Sequence, residues 1–301
     1  MRTSPRPILI LTLGCATALA GLRATTSAQQ TAGPRERTLF VSAVDKDGEP
    51  VAGLGPDAFI VREDGVRREV LRASRATEPI DIAVLVDNST AASDEITFFR
   101  ESLARFVAKM APGNNVAVIA LADRPTILVD YTSDPKRLSD AAGRLFAMPQ
   151  SGMTLLDAIV ETAQGLERRE TPRAVIVPVI TDGIEFTNRY STDVVKTLER
   201  VDAALHAVTI GQFNYSEDHG IRERTFLLGN GPAKSGGQQI TLLSPHGLDQ
   251  ALQRLARELS SQYKVIYGRP QSLIPPERTE VSSAKTGVTM RGAPARGESG
   301  A

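Results

Sequence analysis

Four side chains bearing hard oxygen atoms stand at separate points of the sequence: Asp87 and Ser89 in VDNSTAAS, Thr154 in SGMT, and Asp182 in ITDGIE. Carboxylate and hydroxyl oxygens suit a hard divalent cation, Mg2+ first and Mn2+ as the alternative, rather than a metal that prefers thiolate or imidazole. Taken singly, each residue has a plainer reading. An Asp or Ser ahead of a helix is ordinarily a cap, Asp182-Gly183 is ordinarily a turn, and Asp94 and Glu95 suit the first turn of a helix. Taken in order, at three strand-to-helix junctions, they read as a metal site and point away from catalysis.

The elements around them must carry the loops to one place. Ile80 to Val86 is apolar except for Asp81, the pattern of a parallel strand covered on both faces. Open α/β sheets place their ligand sites at the carboxyl ends of such strands, which is where Asp87 falls. VAVIAL (116–121), AVIVPVI (174–180) and ALHAVTI (204–210) are further near-continuous apolar runs. Between them, Ile96, Phe99, Leu103, Phe106, Val107 and Met110 recur at helical spacing, as do Leu155, Ile159, Ala163 and Leu166, then Leu248, Leu252, Leu255 and Leu259. Strands alternating with amphipathic helices predict an α/β fold with a doubly wound, mostly parallel sheet. Pro178 lies inside one central strand and would delete a ladder hydrogen bond, so a local irregularity is expected there.

The flanks follow a different rule. Residues 36–78 read as an N-terminal β-strand segment, with a DKDGEP turn and Asp64-Gly65 as a hairpin turn whose two central residues need positive φ. Residues 79–268 make the α/β domain. Residues 269–291 begin with Pro270, Pro275 and Pro276 and then supply strand-like pieces at 279–283 and 287–291, expected to pack with the N-terminal segment as a small β module. The tail, 292–301, has the composition of a disordered end.

Residues 1–28 resemble a signal peptide. Arg2 and Arg6 precede an apolar run from Ile8 to Leu22, no acid occurs before Glu36, and small-residue cleavage sites end at Ala20 and Ala28. The apolar run falls short of the roughly 20 residues that a spanning helix needs. Cleavage after Ala28 removes the sole cysteine, Cys15, and with it disulfides, cysteine-zinc sites and thiol chemistry. It also removes three Arg from 35 basic residues against 35 acidic ones, leaving a net charge of −3. Neither nucleic acid nor an anionic membrane surface is favoured as a partner, and the expected location is secreted or periplasmic.

Enzyme motifs are wanting. GNGPAKSGG (229–237) lacks the glycine before lysine and the spacing of a phosphate loop, and reads as a flexible loop. His206, His219 and His246 are scattered without the paired spacing of a zinc site. No Gly-x-Ser-x-Gly elbow occurs.

The order of a DxS loop after the first α/β strand, a Thr loop before a central helix and an Asp-Gly loop after a later strand resembles the von Willebrand factor A domain over residues 80 to about 268. The flanking DKDGEPVAGLGPDAFIVREDG and SSQYKVIYGRP are similar to the secreted members of that family found in Acidobacteria. The resemblance implies a metal ion-dependent adhesion site at Asp87, Ser89 and Thr154, with Asp182 acting through water and a protein partner's carboxylate completing the shell. The family's second Ser falls on Ala91, which removes one hydroxyl. The readings carried forward are a metal-dependent binding module, a metal-free interaction or scaffold protein, and an enzyme of unknown chemistry.

Overall fold

A computed structural model describes residues 35–212, 216–270 and 274–297. The signal-peptide segment and residues 298–301 lie outside the described residues. The described residues begin with β1 (Arg35–Val44), followed by β2 (Phe59–Glu63) and β3 (Val66–Arg75). Asp64 and Gly65 both have positive φ, 48° and 80°, and Glu63 pairs with Val66 across them, as the hairpin reading predicts.

The α/β part then runs β4 (Ile80–Val86), α1 (Ile96–Met110), β5 (Asn115–Ala120), β6 (Thr126–Thr132), α2 (Pro135–Gly143), α3 (Leu155–Glu167) and β7 (Arg173–Ile180). It continues with α4 (Ser191–Arg200), β8 (Ala203–Ile210), α5 (His219–Lys234), β9 (Gln238–Leu242) and α6 (Leu248–Ser260). The strand order is β6-β5-β4-β7-β8-β9, parallel throughout except for antiparallel β6. Every residue of β4, β7 and β8 is buried, because helices cover both faces. Phe99, Phe106, Leu138 and Leu252 of α1, α2 and α6 pack on one face, and Ile159, Val194 and Leu227 of α3, α4 and α5 on the other. This is the expected doubly wound α/β architecture.

Pro178 stays in the sheet. Its partner on the β4 side is Leu85, in an unbroken register, whereas the β8 ladder runs from Ile176↔Leu205 to Val179↔Val208 and skips Val177 and Pro178. The missing N–H therefore falls on the β8 side. Burial of the surrounding apolar residues outweighs one ladder bond worth about 1 kcal/mol.

The second six-stranded sheet, order β11-β2-β3-β10-β1-β12, is antiparallel and drawn from both ends of the chain: β10 (Tyr263–Arg269), β11 (Thr279–Ser283) and β12 (Thr289–Pro294) complete it. Three sequence expectations change here. Residues 263–268 were assigned to the α/β domain, but β10 lies between β3 and β1, and its alternating burial marks a strand with one covered face. The tail assigned as disordered from 292 is structured to 297: Ala293 and Ala295 are buried, and Arg296 donates to the carbonyls of Thr171 at 2.9 Å and Arg169 at 2.6 Å. The supposed loop at 229–237 is helical to Lys234. Leu227, Leu228, Gly231 and Pro232 are buried beside β8, so tertiary packing carries the helix through two glycines and a proline.

Candidate metal site

The first loop begins where β4 ends. Asp87 is fully buried, and its carboxylate accepts hydrogen bonds from the Ser89 amide at 2.9 Å, the Thr181 amide at 3.1 Å and the Thr181 hydroxyl. An ionised carboxylate has roughly four acceptor positions, so one is left. Among the described residues no cation lies within ion-pair distance of it. Asn88, between the two sequence-predicted residues, accepts from the amides of Leu121 and Ala122 at 3.1 and 2.8 Å and donates to the Phe146 carbonyl at 3.1 Å. It ties the first loop to the end of β5.

Ser89 and Thr154 stand at the N-cap positions of a short 3-10 turn (Thr90–Ala92) and of α3, where a hydroxyl ordinarily accepts from the helix's own amides. Neither caps its helix. The Ser89 Oγ is buried with no hydrogen-bond partner among the described residues. The Thr154 hydroxyl donates to the Leu121 carbonyl at 2.9 Å, which leaves its lone pairs available. The capping role at α3 has passed to Glu185 on the third loop, whose carboxylate accepts from the Leu155 and Leu156 amides at 3.2 Å each. Burial pushes the Glu185 carboxyl up to about 8 despite those bonds. The second and third loops are also joined by backbone bonds, Met153 to the Ile184 carbonyl at 2.8 Å and Phe186 to the Met153 carbonyl at 2.7 Å.

Asp182 on the third loop is exposed, and its side chain leans on Gly211 just beyond β8: a Cβ there would lie 3.0 Å from the Asp182 carboxyl carbon. Arg224, a fully buried residue of α5, holds the backbone beneath it by donating to the Gly183 and Asp182 carbonyls. Gly183 faces the first loop, with its Cβ position 2.6 Å from the Ala91 methyl and 3.5 Å from the Ser89 Oγ. Glu95, at the start of α1, has a buried Oε2 without a partner among the described residues; burial and the negative charges of Asp94, Asp182 and Asp87 raise its carboxyl above the usual range.

The loops carrying Asp87, Ser89 and Thr154 are thus bonded into one cluster, and Asp182 stands at its rim. A fully buried, unpaired carboxylate beside an unpartnered hydroxyl fits a hard divalent cation in its chemistry. Among the described residues, however, no group of three or more His, Cys, Asp and Glu side chains is gathered tightly enough to hold a metal. Sequence reasoning missed Thr181, Asn88, Glu185 and Arg224. Thr181 and Asn88 adjoin predicted residues and were within reach of inspection, whereas nothing in the sequence pairs Glu185 with α3 or Arg224 with Gly183.

Residues 82–185 match the family model of the von Willebrand factor type A domain. The α/β part has the von Willebrand factor type A fold. Solved structures similar to this chain share 12 to 14% of its sequence. Proximal thread matrix protein 1 from the mussel byssus is 14% identical, with 69% of this chain and 50% of that one covered and a TM-score of 0.49. The vWF domain of the type V pili tip protein Mfa5 from Porphyromonas gingivalis is 12% identical, with 60% and 95% covered and a TM-score of 0.44. A von Willebrand factor type A protein from Catenulispora acidiphila is 12% identical, with 89% and 75% covered and a TM-score of 0.47. The chain thus spans half the length of the byssus protein. No curated protein matches the chain in sequence.

Proposed function

We propose that this VWA protein is an exported, non-enzymatic binding module of the secreted acidobacterial kind, whose loop face holds Mg2+ or Mn2+ and engages a protein partner. The observation that carries the reading is the pair of hydroxyls released from capping: Ser89 has an unpartnered buried Oγ, and Thr154 leaves its helix to Glu185. Where a side chain does cap its helix here, it bonds the helix's own amides, as Asp134 does at α2. Asp87, Ser89 and Thr154 would hold the ion, with Asp182 reaching it through water. The ion would supply an electrophilic vertex for an acidic side chain of the partner. Phe146, Met148, Ile184 and Phe186 are exposed on the loops bonded to this cluster and would contact apolar residues beside that acid.

Among the described residues no helix is long and apolar enough to cross a membrane. Intact-mass measurement of envelope or medium fractions tests export: a chain starting at Gln29 or Gly21 is expected, and a full-length cytoplasmic chain would defeat it. Calorimetric titration with Mg2+ and Mn2+ tests the ion. The wild type is expected to bind at millimolar concentration or tighter and Asp87→Ala not at all. If neither binds, the metal-independent interaction or scaffold reading takes over, which Ala91 and the dispersed carboxylates favour.

A further inference from the structure

Ile184, Glu185 and Phe186 on the third loop alternate as a strand does: the outer two are 56% and 53% exposed, and Glu185 between them is 3% exposed. Met153 of the second loop bridges to this segment in parallel, giving its amide to the Ile184 carbonyl and its carbonyl to the Phe186 amide. The buried Glu185 carboxylate crosses to the start of α3 and accepts from the Leu155 and Leu156 amides. A Cβ at Gly220 of α5 would lie 2.0 Å from the Glu185 carbonyl oxygen, so α5 closes directly on the same backbone.

Two residues are therefore placed to serve one helix end. Thr154 holds the N-cap position, where a hydroxyl ordinarily accepts from the amide two or three places on, here Leu156 or Asp157. With Glu185 already on the Leu155 and Leu156 amides, the Thr154 hydroxyl turns the other way and donates to the Leu121 carbonyl. That carbonyl does not need it, because the Thr154 amide donates to the same oxygen at 3.0 Å. The direction of the hydroxyl thus follows from the occupied helix end and not from a demand at Leu121.

We propose that Glu185 is the positioning residue of the loop face: by capping α3 from the third loop it turns the Thr154 hydroxyl off the helix and holds Ile184 and Phe186 outward. Without Glu185, Thr154 takes the cap. The proposal rests on the binding reading above only for what the face engages, and it needs no bound ion.

The test is a double-mutant cycle of Thr154→Val and Glu185→Ala by urea unfolding in chelator, with the Thr154 side-chain rotamer read by NMR. Thr154→Val is expected to shift the folding equilibrium roughly fivefold further in the Glu185→Ala background than in the wild type, the worth of one helix cap. In Glu185→Ala the Thr154 rotamer is expected to change and the Asp157 or Leu156 amide to become its partner. Should Glu185→Ala not fold, Glu185→Gln, of equal size, takes its place in the cycle. Equal shifts from Thr154→Val in both backgrounds, or a Thr154 rotamer that stays as in the wild type, overturn the proposal. The cycle is run without ligand, so a wild type that binds no Mn2+ defeats the metal reading and leaves this proposal to be decided by the cycle.

Discussion

Asp81 and Asp87 occupy the two ends of β4, both fully buried, and they are treated in opposite ways. Asp81 is neutralised. Arg169 donates to its two oxygens at 2.6 and 3.1 Å, Asn115 adds a bond at 2.8 Å, and Arg296 from the end of the chain stands at 4.0 Å. Asp87 receives only amide and hydroxyl donors, although Arg224 is near enough for its charge to be felt. Arg224 donates to the carbonyls of Asp182 and Gly183. The closed pair serves the fold, tying β4 to α3 and the C-terminal segment. Asp87 has no such partner within ion-pair distance among the described residues, and the metal reading proposed above assigns that place to a cation.

The largest test compares asparagine at both ends by urea unfolding in chelator. Asp81→Asn leaves two arginines facing a neutral amide and should cost about 3 kcal/mol, the low end for a broken buried pair, because the Arg169 side chain is 31% exposed and regains some water. Asp87→Asn misdirects one amide but removes an unpaired charge, and should cost about 1 kcal/mol or less. Equal losses would break the comparison.

His206 shows a third treatment, a buried group kept uncharged. It is 1% exposed on β8, both ring nitrogens lack partners among the described residues, and burial lowers its pKa from 6.5 to about 4. The unfolded chain takes up a proton below pH 6.5 and the folded chain does not, so stability present above that pH is lost as pH falls toward 4. About 3 kcal/mol is expected from this group, and His206→Leu should flatten that part of the pH profile of unfolding.

Adding the ion sharpens the contrast. At tenfold excess over its Kd, a bound cation should stabilise the wild type by about 1.4 kcal/mol, read as a rise in thermal midpoint. Asp81→Asn should keep that rise and Asp87→Asn should lose it. The smallest effect is expected from Ala91→Ser, a gain of about 1 kcal/mol in cation affinity, measured by the same titration. A metal-free scaffold would leave it silent.

Much of the fold was legible in the sequence because the pattern is local. Nearly continuous apolar runs announced β4, β5, β7 and β8, the helical repeats announced α1, α3 and α6, and Asp64-Gly65 announced its hairpin. The edge strands β6 and β9 were not legible, since Val129 is the one buried residue of β6 and β9 has none, so both look like loop. The sequence also picked out Asp87, Ser89, Thr154 and Asp182, residue types that stand at strand ends in the right order. Tertiary structure decided the rest. Whether Thr154 caps α3 depends on Glu185 arriving from another loop, and the backbone beneath Asp182 is held by Arg224 arriving from α5. The place of β10 between β1 and β3, and the anchoring of Arg296 against α3, likewise join residues far apart in the chain. Periodicity and spacing record what a residue buries or caps within one element, but the pairing of a charge is settled only when distant elements meet.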